Sequence, residues 1–478
     1  MVSTFFRNAV FQVGLNLLVK GVYLFGVERV VQNTLPEGDY GLYFSLLGLG
    51  MLLQVVADFG LQLYNSKELA GDRDRLAEYF PYFVGLKLIL GSAFFMLLLG
   101  VGYWIGYNYH ELFLLVLAGA VQFFNSVALY LRSNLSGLGR YTLDGWFSVL
   151  DKVLMIVIIG GLLWWAPEQL TIVRFAAAQL FAWGVTTVAL LATVWRRLPR
   201  KRPRYDRRRT WELLRGGAPF ALAVFLIVAY SRTDAVMIER LLPDGMIQAN
   251  HYAAAYRLLE AMNIIGWLLA GLLIPMYARL RSKGESVAPL LRFSVQLLLA
   301  GSVCVAVPLF YYAQPIVELL YDFANAQTSL ILMAMALTFI AQCLNYSYGP
   351  LLTAAGLIGR LNGVYALGIV INVGGNLLLL PAYGAFGAAV MTVITQGLIA
   401  VIQLFLAHRW LNIPYRTIPW LRLLLFTLIF STCALAPILL EMNWMLGFTL
   451  TSFAGLAAAA STGLIDLKQL QKVAAERS

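Results

Sequence analysis

The chain has 478 residues, of which 60% are hydrophobic and 12% are charged, and its net charge is +11. An ordinary soluble domain has about 25% charged residues, so this chain cannot hide its apolar surface from water by folding alone. The composition excludes an ordinary soluble protein and predicts one whose solvent is lipid.

The apolar residues fall into blocks long enough to cross a hydrocarbon core of about 30 Å as helices. The predicted spans are residues 8–33, 40–64, 80–104, 112–135, 141–164, 170–195, 219–238, 252–277, 290–312, 330–352, 361–380, 385–408, 420–440 and 444–463. A transmembrane β-barrel is excluded because its strands would alternate polar and apolar residues, whereas these blocks are apolar on every face. The first block contains Asn16, Lys20 and Glu28, so we expect it to stay as the first helix instead of being cleaved as a signal.

Lysine and arginine residues are distributed unequally between the alternate loops. One set of loops carries nearly all of the loop cations, whereas the opposite set has only Arg29 and Arg240, both at helix ends. Because basic loops stay in the cytoplasm, the pattern predicts a multi-pass protein of the cytoplasmic (inner) membrane with both termini cytoplasmic. It also explains the positive net charge without nucleic acid as a partner.

The first twelve predicted helices form two similar halves. At one constant offset, Tyr40 matches Tyr252, Phe44 matches Tyr256, Lys67 matches Arg279 and Lys20 matches Arg232. Six helices is an even number, so the repeat is parallel, and transporters built from such repeats bind substrate at the repeat interface. The predicted fold is therefore an all-α integral membrane protein of about fourteen transmembrane helices, with two six-helix lobes around a central cavity and a C-terminal helix pair.

These features divide the chain into four predicted regions. They are an N-terminal lobe over residues 1–197, a basic cytoplasmic linker over 198–212, a C-terminal lobe over 213–410, and the helix pair with a short basic cytoplasmic tail over 411–478. The arginine-rich linker is expected to anchor the topology.

Several cations fall inside the predicted spans. An ionisable side chain near the bilayer centre costs at least about 2.5 kcal/mol, so it persists mainly where it faces protein or a water-filled cavity. The cations at this depth are Lys20, Lys152, Arg174, Arg232 and Arg257. We expect them to line a cationic cleft that binds a phosphate-containing substrate. Lys87, nearer the predicted cytoplasmic side, is expected to snorkel to the interface.

Acidic residues at similar depth have two interpretations, ion coupling or structural pairing. The candidates are Glu28, Asp58, Asp234 and Glu260. Arg257 and Glu260 are three residues apart on one helix face, so a structural ion pair is as good an interpretation as a substrate contact. Arg232 and Asp234 are two residues apart and point about 200 degrees apart on a straight helix.

No motif for chemistry is present in the sequence. We find no phosphate-binding loop, zinc-ligand pair, Cys-x-x-Cys motif or nucleophile elbow, and the three histidines lie at predicted helix ends. The three cysteines lie inside apolar blocks, which predicts neither disulfides nor a metal site. We therefore predict no catalytic residue, no metal and no cofactor, and a transporter instead of an enzyme.

Three segments resemble the polysaccharide biosynthesis (Wzx-type oligosaccharide) flippases of the multidrug/oligosaccharidyl-lipid/polysaccharide (MOP) exporter superfamily. They are ADFGLQLYNSKELAG from Ala57, YAAAYRLLEA from Tyr252 and YGAFGAAVMTVITQ from Tyr383. The resemblance implies translocation of a polyprenyl-diphosphate-linked oligosaccharide from the inner to the outer leaflet by alternating access, for O-antigen, capsule or exopolysaccharide assembly. It implies membrane lipids and other polysaccharide assembly proteins as partners, and a diphosphate near Lys20, Lys152, Arg232 and Arg257.

Three alternatives stay open at this point. A lipid-linked peptidoglycan precursor flippase would handle the same diphosphate, and a cation-coupled multidrug exporter would share the layout, although a cationic cleft argues against a cationic substrate. A membrane-embedded polysaccharide polymerase or ligase is the alternative of another class, but it would need a larger extracytoplasmic loop than this chain has.

Overall fold

A computed structural model of the protein describes residues 2–71, 75–196 and 206–464, with the side chains of residues 2–10 and 67–79 left out of the description. Part of the predicted linker, the C-terminal tail and the side chains of Lys67 and Glu68 therefore lie outside the described residues. The helices are α1 (Val2–Tyr23), α2 (Arg29–Thr34), α3 (Asp39–Asp58), α4 (Leu61–Gly71), α5 (Arg75–Ile105), α6 (Tyr109–Gly137), α7 (Tyr141–Phe147), α8 (Leu150–Trp165), α9 (Ile172–Trp195), α10 (Arg207–Leu241), α11 (Gly245–Ser282), α12 (Ala288–Tyr311), α13 (Ala313–Leu320), α14 (Ala326–Ala354), α15 (Ile358–Trp410), α16 (Trp420–Cys433), α17 (Ala436–Leu439) and α18 (Trp444–Ser461).

The predicted fold class, an all-α integral membrane protein, is confirmed. Among the described residues, 12 helical segments are long and apolar enough to cross a membrane. The longest of them, α15, contains two predicted spans. The chain is kinked between these spans at Gly384, which adopts the non-helical angles φ 57 and ψ −147. The helical run from Val2 to Thr34 covers the first predicted span.

The described contacts divide the chain into two compact units, residues 4–250 and residues 251–478 with residues 1–3. In the first unit, α3 is the most buried candidate span, and it packs against α5, α6 and α10. Glycines allow this close packing: a Cβ added to Gly48 would lie 3.3 Å from the Arg232 carbonyl oxygen of α10. Small residues at such contacts let helix backbones approach closely in a membrane. The predicted domain boundaries stay a prediction.

Three helical paths of the first unit are irregular at membrane depth. The chain forms a π-helical turn at Leu24–Glu28 between α1 and α2. The second path stops at Phe59 and Gly60, which have φ 48 and φ 70, between α3 and α4. The third is interrupted at Ser148 and Val149, between α7 and α8. Irregular turns of this kind inside membrane helices expose backbone groups and frequently accompany functional sites.

In the second unit, α14 packs against α12 and α15, and α18 packs against α12. The C-terminal helices fit closely, because Gly447 lies beside the ring of Tyr312 and Gly455 beside the ring of Phe430. Other apolar side chains of these helices, such as Leu421, are exposed, as expected for a surface whose solvent is lipid.

Candidate functional site

A row of polar contacts joins α1 to α7 and α8 inside the first unit. We call this row the polar seam; its residues are Gln12, Asn16, Tyr23, Asp144, Ser148 and Lys152. Nε2 of Gln12 donates to Oδ2 of Asp144 over 3.3 Å, and Nδ2 of Asn16 donates to Oγ of Ser148 over 2.8 Å. The contacts advance in the same direction along both helical paths, so the two paths run parallel.

Two lysines, Lys20 and Lys152, lie near the end of the polar seam where the residue numbers are highest. Nζ of Lys152 lies 4.4 Å from the ring centroid of Tyr23 and 3.4 Å from Oδ2 of Asp151. Lys20 is half-buried on α1, four residues after Asn16 and three before Tyr23, so it lies on the helix face that forms the seam. The structure thus puts two of the five predicted cations, Lys20 and Lys152, along one pair of helices.

Cations and acids are nearly balanced along the polar seam. Nε of Arg132 on α6 lies 2.7 Å from Oδ1 of Asp144, which compensates the buried carboxylate at that end. Asp151 is the partner of Lys152. Two irregular points adjoin the seam: the π-helical turn that follows Tyr23 and the interruption at Ser148 and Val149. Discontinuous membrane helices with charged side chains beside them are a common way to build a transporter site.

The other predicted residues of the first unit lie on different helices. Arg232 is half-buried on α10, whereas Asp234, two residues later, is fully buried. Glu28 ends the π-helical turn and accepts a 2.6 Å hydrogen bond from the Tyr40 hydroxyl. Arg174 is exposed at the start of α9, where its guanidinium donates to the Gln169 carbonyl.

Arg257 and Glu260 belong to the second unit and contact each other directly. Nη1 of Arg257 lies 2.6 Å from Oε2 of Glu260, and the two side chains are 12% and 31% exposed. This is the local ion pair that their spacing on α11 favours. The exposed part of Glu260 leaves its carboxylate accessible.

Asp58 forms an ion pair with Lys87, a residue that the sequence did not assign to the interior of the protein. Lys87 was expected to snorkel to the interface, and this prediction is wrong, because only 3% of the residue is exposed. Its Nζ donates to Ala57 O over 3.0 Å, to Oδ1 of Asp58 over 3.1 Å and to Oγ of Ser126 over 2.7 Å. Ala57 is the penultimate residue of α3, so Lys87 binds one of the carbonyls at the C-terminal end of that helix, where a cation is favourable.

A second buried cluster was missed by the sequence reasoning. Nη2 of Arg240 lies 2.9 Å from Oε2 of Glu111, and its Nε lies 3.0 Å from Oε2 of Glu239. The guanidinium also lies 3.7 Å from the ring centroid of Tyr107. Burial raises the pKa of the Tyr107 phenol, so this group stays protonated and donates to Glu239 over 3.1 Å. The residues come from two segments more than a hundred residues apart, 107–111 and 239–240, and no local spacing in the sequence indicates that the two segments meet.

Replacing Ser148 with alanine is expected to destabilise the protein by about 1 kcal/mol, since hydrogen bonds between membrane helices contribute about 0.6 kcal/mol on average and up to about 1.7. The change removes the acceptor for Asn16 on α1. Unfolding of the purified protein by sodium dodecyl sulfate (SDS) measures the effect. Ser452→Ala is the control, because that hydroxyl donates only within α18, to Phe448 O. Equal effects of the two substitutions would contradict a stabilising role for the polar seam.

A family model described as polysaccharide biosynthesis protein matches residues 6–281, which include the polar seam. No curated protein matches the sequence.

Among solved structures, the lipid II flippase MurJ in an inward closed conformation matches with 14% identity and a TM-score of 0.67, over 98% of each chain. The Vibrio cholerae MATE transporter VcmN matches with 15% identity and a TM-score of 0.58, over 86% of this chain and 96% of its own. A MOP superfamily transporter from Pyrococcus furiosus matches with 15% identity and a TM-score of 0.60, over 85% of this chain and 95% of its own. At these identities the likeness shows a common transporter fold.

Proposed function

Because the chain belongs to the polysaccharide biosynthesis protein family, whose model matches residues 6–281, we propose that it flips a polyprenyl-diphosphate-linked oligosaccharide across the membrane. The family match is the observation that carries the proposal. It agrees with the resemblance of the sequence to the MOP superfamily, and the fold is that of MOP transporters. The protein is thus a flippase-type transporter by family, and its substrate is what we propose.

The polar seam supports a substrate with phosphate groups. A diphosphate that crosses a bilayer must exchange hydration for charged hydrogen bonds, and each such bond contributes about 1.5–3 kcal/mol. Lys20 and Lys152 on the seam, with Arg232 on α10, are the cations that we assign to the diphosphate. Arg257 lies in the second unit beside Glu260, and Arg174 is exposed beside Gln169, so we assign these two cations weaker roles. Asp58, Asp234, Glu28 and Glu260 remain candidates for ion coupling.

Two neighbouring functions within the superfamily are distinguished by substrate. The lipid II flippase covers nearly all of this chain, whereas the MATE transporter covers 86% of it. We favour a lipid-linked substrate over a soluble drug because the family that matches is one of polysaccharide biosynthesis proteins. The family match favours an oligosaccharide for polysaccharide assembly over the peptidoglycan precursor. O-antigen, capsule and exopolysaccharide assembly are the processes that use such a carrier.

We further propose that the protein works in the cytoplasmic membrane with both termini in the cytoplasm. This orientation is supported by the loops rich in lysine and arginine, because such loops stay on the cytoplasmic side of the membrane. In this orientation the cluster of Tyr107, Glu111, Glu239 and Arg240 lies toward the outer leaflet, and the helix break at Phe59 lies toward the cytoplasm. Membrane lipids and proteins that assemble the polysaccharide are the proposed partners.

The test is leaflet translocation of a fluorescent polyprenyl-diphosphate oligosaccharide in reconstituted vesicles. Native protein is expected to accelerate translocation. Lys20→Ala and Arg232→Ala are each expected to slow it by roughly tenfold or more, because each removes a charged hydrogen bond. Lys283→Ala is the matched control, since this exposed lysine lies outside the helices and pairs weakly with Glu285 at 3.8 Å.

Each other outcome has a definite meaning. Translocation that both cation variants leave unchanged would keep the function and discard these residues as the diphosphate site. Translocation of lipid II in preference to every oligosaccharide carrier would identify a peptidoglycan precursor flippase. Export of a cationic drug without any lipid translocation would identify a multidrug exporter, and glycosidic bond formation by the purified protein would identify a polymerase.

A further inference from the structure

The second unit contains a group of amide side chains within the membrane-spanning part of its helices. We call this group the amide cluster; its residues are Asn263 on α11, Gln342 and Asn345 on α14, and Gln396 on α15. Nδ2 of Asn263 donates to Oε1 of Gln342 over 2.5 Å, and Nδ2 of Asn345 donates to Oε1 of Gln396 over 2.9 Å. Gln342 and Asn345 are three residues apart, so they share one face of α14.

The amide cluster has hydrogen-bonding capacity beyond its internal contacts. Each amide has two N–H donors and an oxygen with two lone pairs. Oδ1 of Asn263 and Oδ1 of Asn345 are buried and accept no hydrogen bond from the described residues. A buried polar atom without a partner costs about 1–3 kcal/mol, more than the 0.6 kcal/mol that an average hydrogen bond between membrane helices contributes. Stability alone therefore gives a poor account of this group.

Three of the four residues of the amide cluster are half-buried, so part of each side chain is accessible. Asn263, Gln342 and Asn345 are each of intermediate exposure, and only Gln396 is buried. By contrast, Asn372 and Asn376 on α15 are both fully buried. The same unit thus holds a buried amide pair and, separately, a partly accessible amide group.

The neighbours of the amide cluster are also suited to a hydroxylated ligand. Glu260 lies one turn before Asn263 on α11, and its carboxylate is 31% exposed. The ring of Tyr346 packs over Gly266 of α11, where an added Cβ would lie 2.6 Å from the ring. The amides provide neutral donors and acceptors, and Glu260, whose charge is compensated by Arg257, adds an acceptor. This set fits sugar hydroxyl and N-acetyl groups better than a phosphate or a drug cation.

We propose that the amide cluster recognises the sugar residues of the transported lipid-linked glycan. This inference rests on the proposed function and assigns its glycan selectivity to Asn263, Gln342, Asn345 and Gln396. A site built to hydrogen-bond hydroxyl groups discriminates strongly against ligands that lack them, because its own polar groups are then left unpaired. In this proposal the amide cluster selects the glycan, whereas Lys20, Lys152 and Arg232 bind the diphosphate.

The experiment compares two fluorescent probes in the same vesicles, a polyprenyl-diphosphate monosaccharide and a polyprenyl-diphosphate tetrasaccharide. The variants are Asn263→Leu and Asn345→Leu, which keep side-chain size and remove the hydrogen bonds. We expect each to slow translocation of the tetrasaccharide probe by about tenfold or more relative to the monosaccharide probe. Asn372→Leu is the matched control, a fully buried amide of the same unit, and it should change both rates by one common factor.

A conservative variant separates recognition from folding. Asn345→Gln keeps the amide and should retain the native ratio of the two rates, even where the amount of folded protein falls. An unchanged ratio in Asn263→Leu and Asn345→Leu, with native protein still active, would overturn the amide proposal and leave the proposed function standing. Native protein that translocates neither probe would overturn the proposed function, and the amide proposal would fall with it.

Discussion

Replacing Lys87 with methionine is expected to lower the free energy of unfolding by about 3 kcal/mol or more, the range found when one partner of a buried ion pair is removed. The methionine side chain retains most of the apolar volume of the lysine, so the loss comes from the charge and its three hydrogen bonds. Asp58 would be left with a carboxylate that is only 20% exposed and has lost its cation. SDS-driven unfolding of the purified protein measures the change.

Two further variants identify the cause of the Lys87 effect. Lys87→Met combined with Asp58→Asn removes both charges, and it should recover part of the lost stability, because the uncompensated carboxylate is gone. Lys283→Ala is the exposed control, since its partner Glu285 is 3.8 Å away and both side chains are about half exposed. A surface pair of this kind contributes about 0–1 kcal/mol. Comparable losses in Lys87→Met and Lys283→Ala would show that Lys87 does not act as a buried ion.

The case of Lys87 also illustrates what the sequence could predict and what it could not. The transmembrane spans were predictable because hydropathy is a local property of about 20 consecutive residues. The depth of Lys87 was judged from its position along one helix. In the structure that depth is decided by Ala57 O, Asp58 and Ser126 on two other helices. No pattern within α5 carries information about these partners.

The same reasoning applies to the candidate site. The sequence singled out Lys20 and Lys152 because charges are rare inside apolar blocks, and the structure gives both a position along the polar seam. The sequence did not predict the interruption at Ser148 and Val149, because residues 141–164 read as one apolar block. That irregular point is accompanied by the hydrogen bond from Asn16 of α1. A contact across more than a hundred residues has no signature in a single sequence.

The segment Asp58–Gly60, part of the resemblance to flippases, acquires a physical meaning in the structure. Phe59 and Gly60 both have positive φ, and together they end α3 and redirect the chain into α4. A bulky residue such as Phe59 rarely adopts this conformation, and residues held there cost about 1–3 kcal/mol. The contact of Lys87 with Ala57 O, and of Gly60 with α10, holds the strained turn in place. The motif is thus a helix break stabilised from two sides.

The break explains why Gly60→Ala is expected to have a large effect, because close backbone atoms and a positive φ both oppose the added methyl group. A Cβ at Gly60 would lie 2.3 Å from Gly217 O and 2.6 Å from Ala221 N, both backbone atoms of α10. Neither atom can rotate away, so α10 and the break would have to separate. The positive φ of 70 adds strain for any residue with a Cβ.

Gly284→Ala is the matched control for this substitution. Gly284 has the same φ of 70, but a Cβ there would meet nothing within 4 Å. The control therefore measures backbone strain alone, about 1 kcal/mol, while Gly60→Ala adds the overlap between backbones. We expect Gly284→Ala to yield folded, active protein and Gly60→Ala to reduce folded protein in the membrane by roughly tenfold or more, because a protein that is strongly destabilised is degraded or aggregates. Size-exclusion chromatography of detergent extracts measures this yield. Equal yields from the two variants would mean that the close contact of the break with α10 can relax without cost, and the motif would then need another explanation than helix packing.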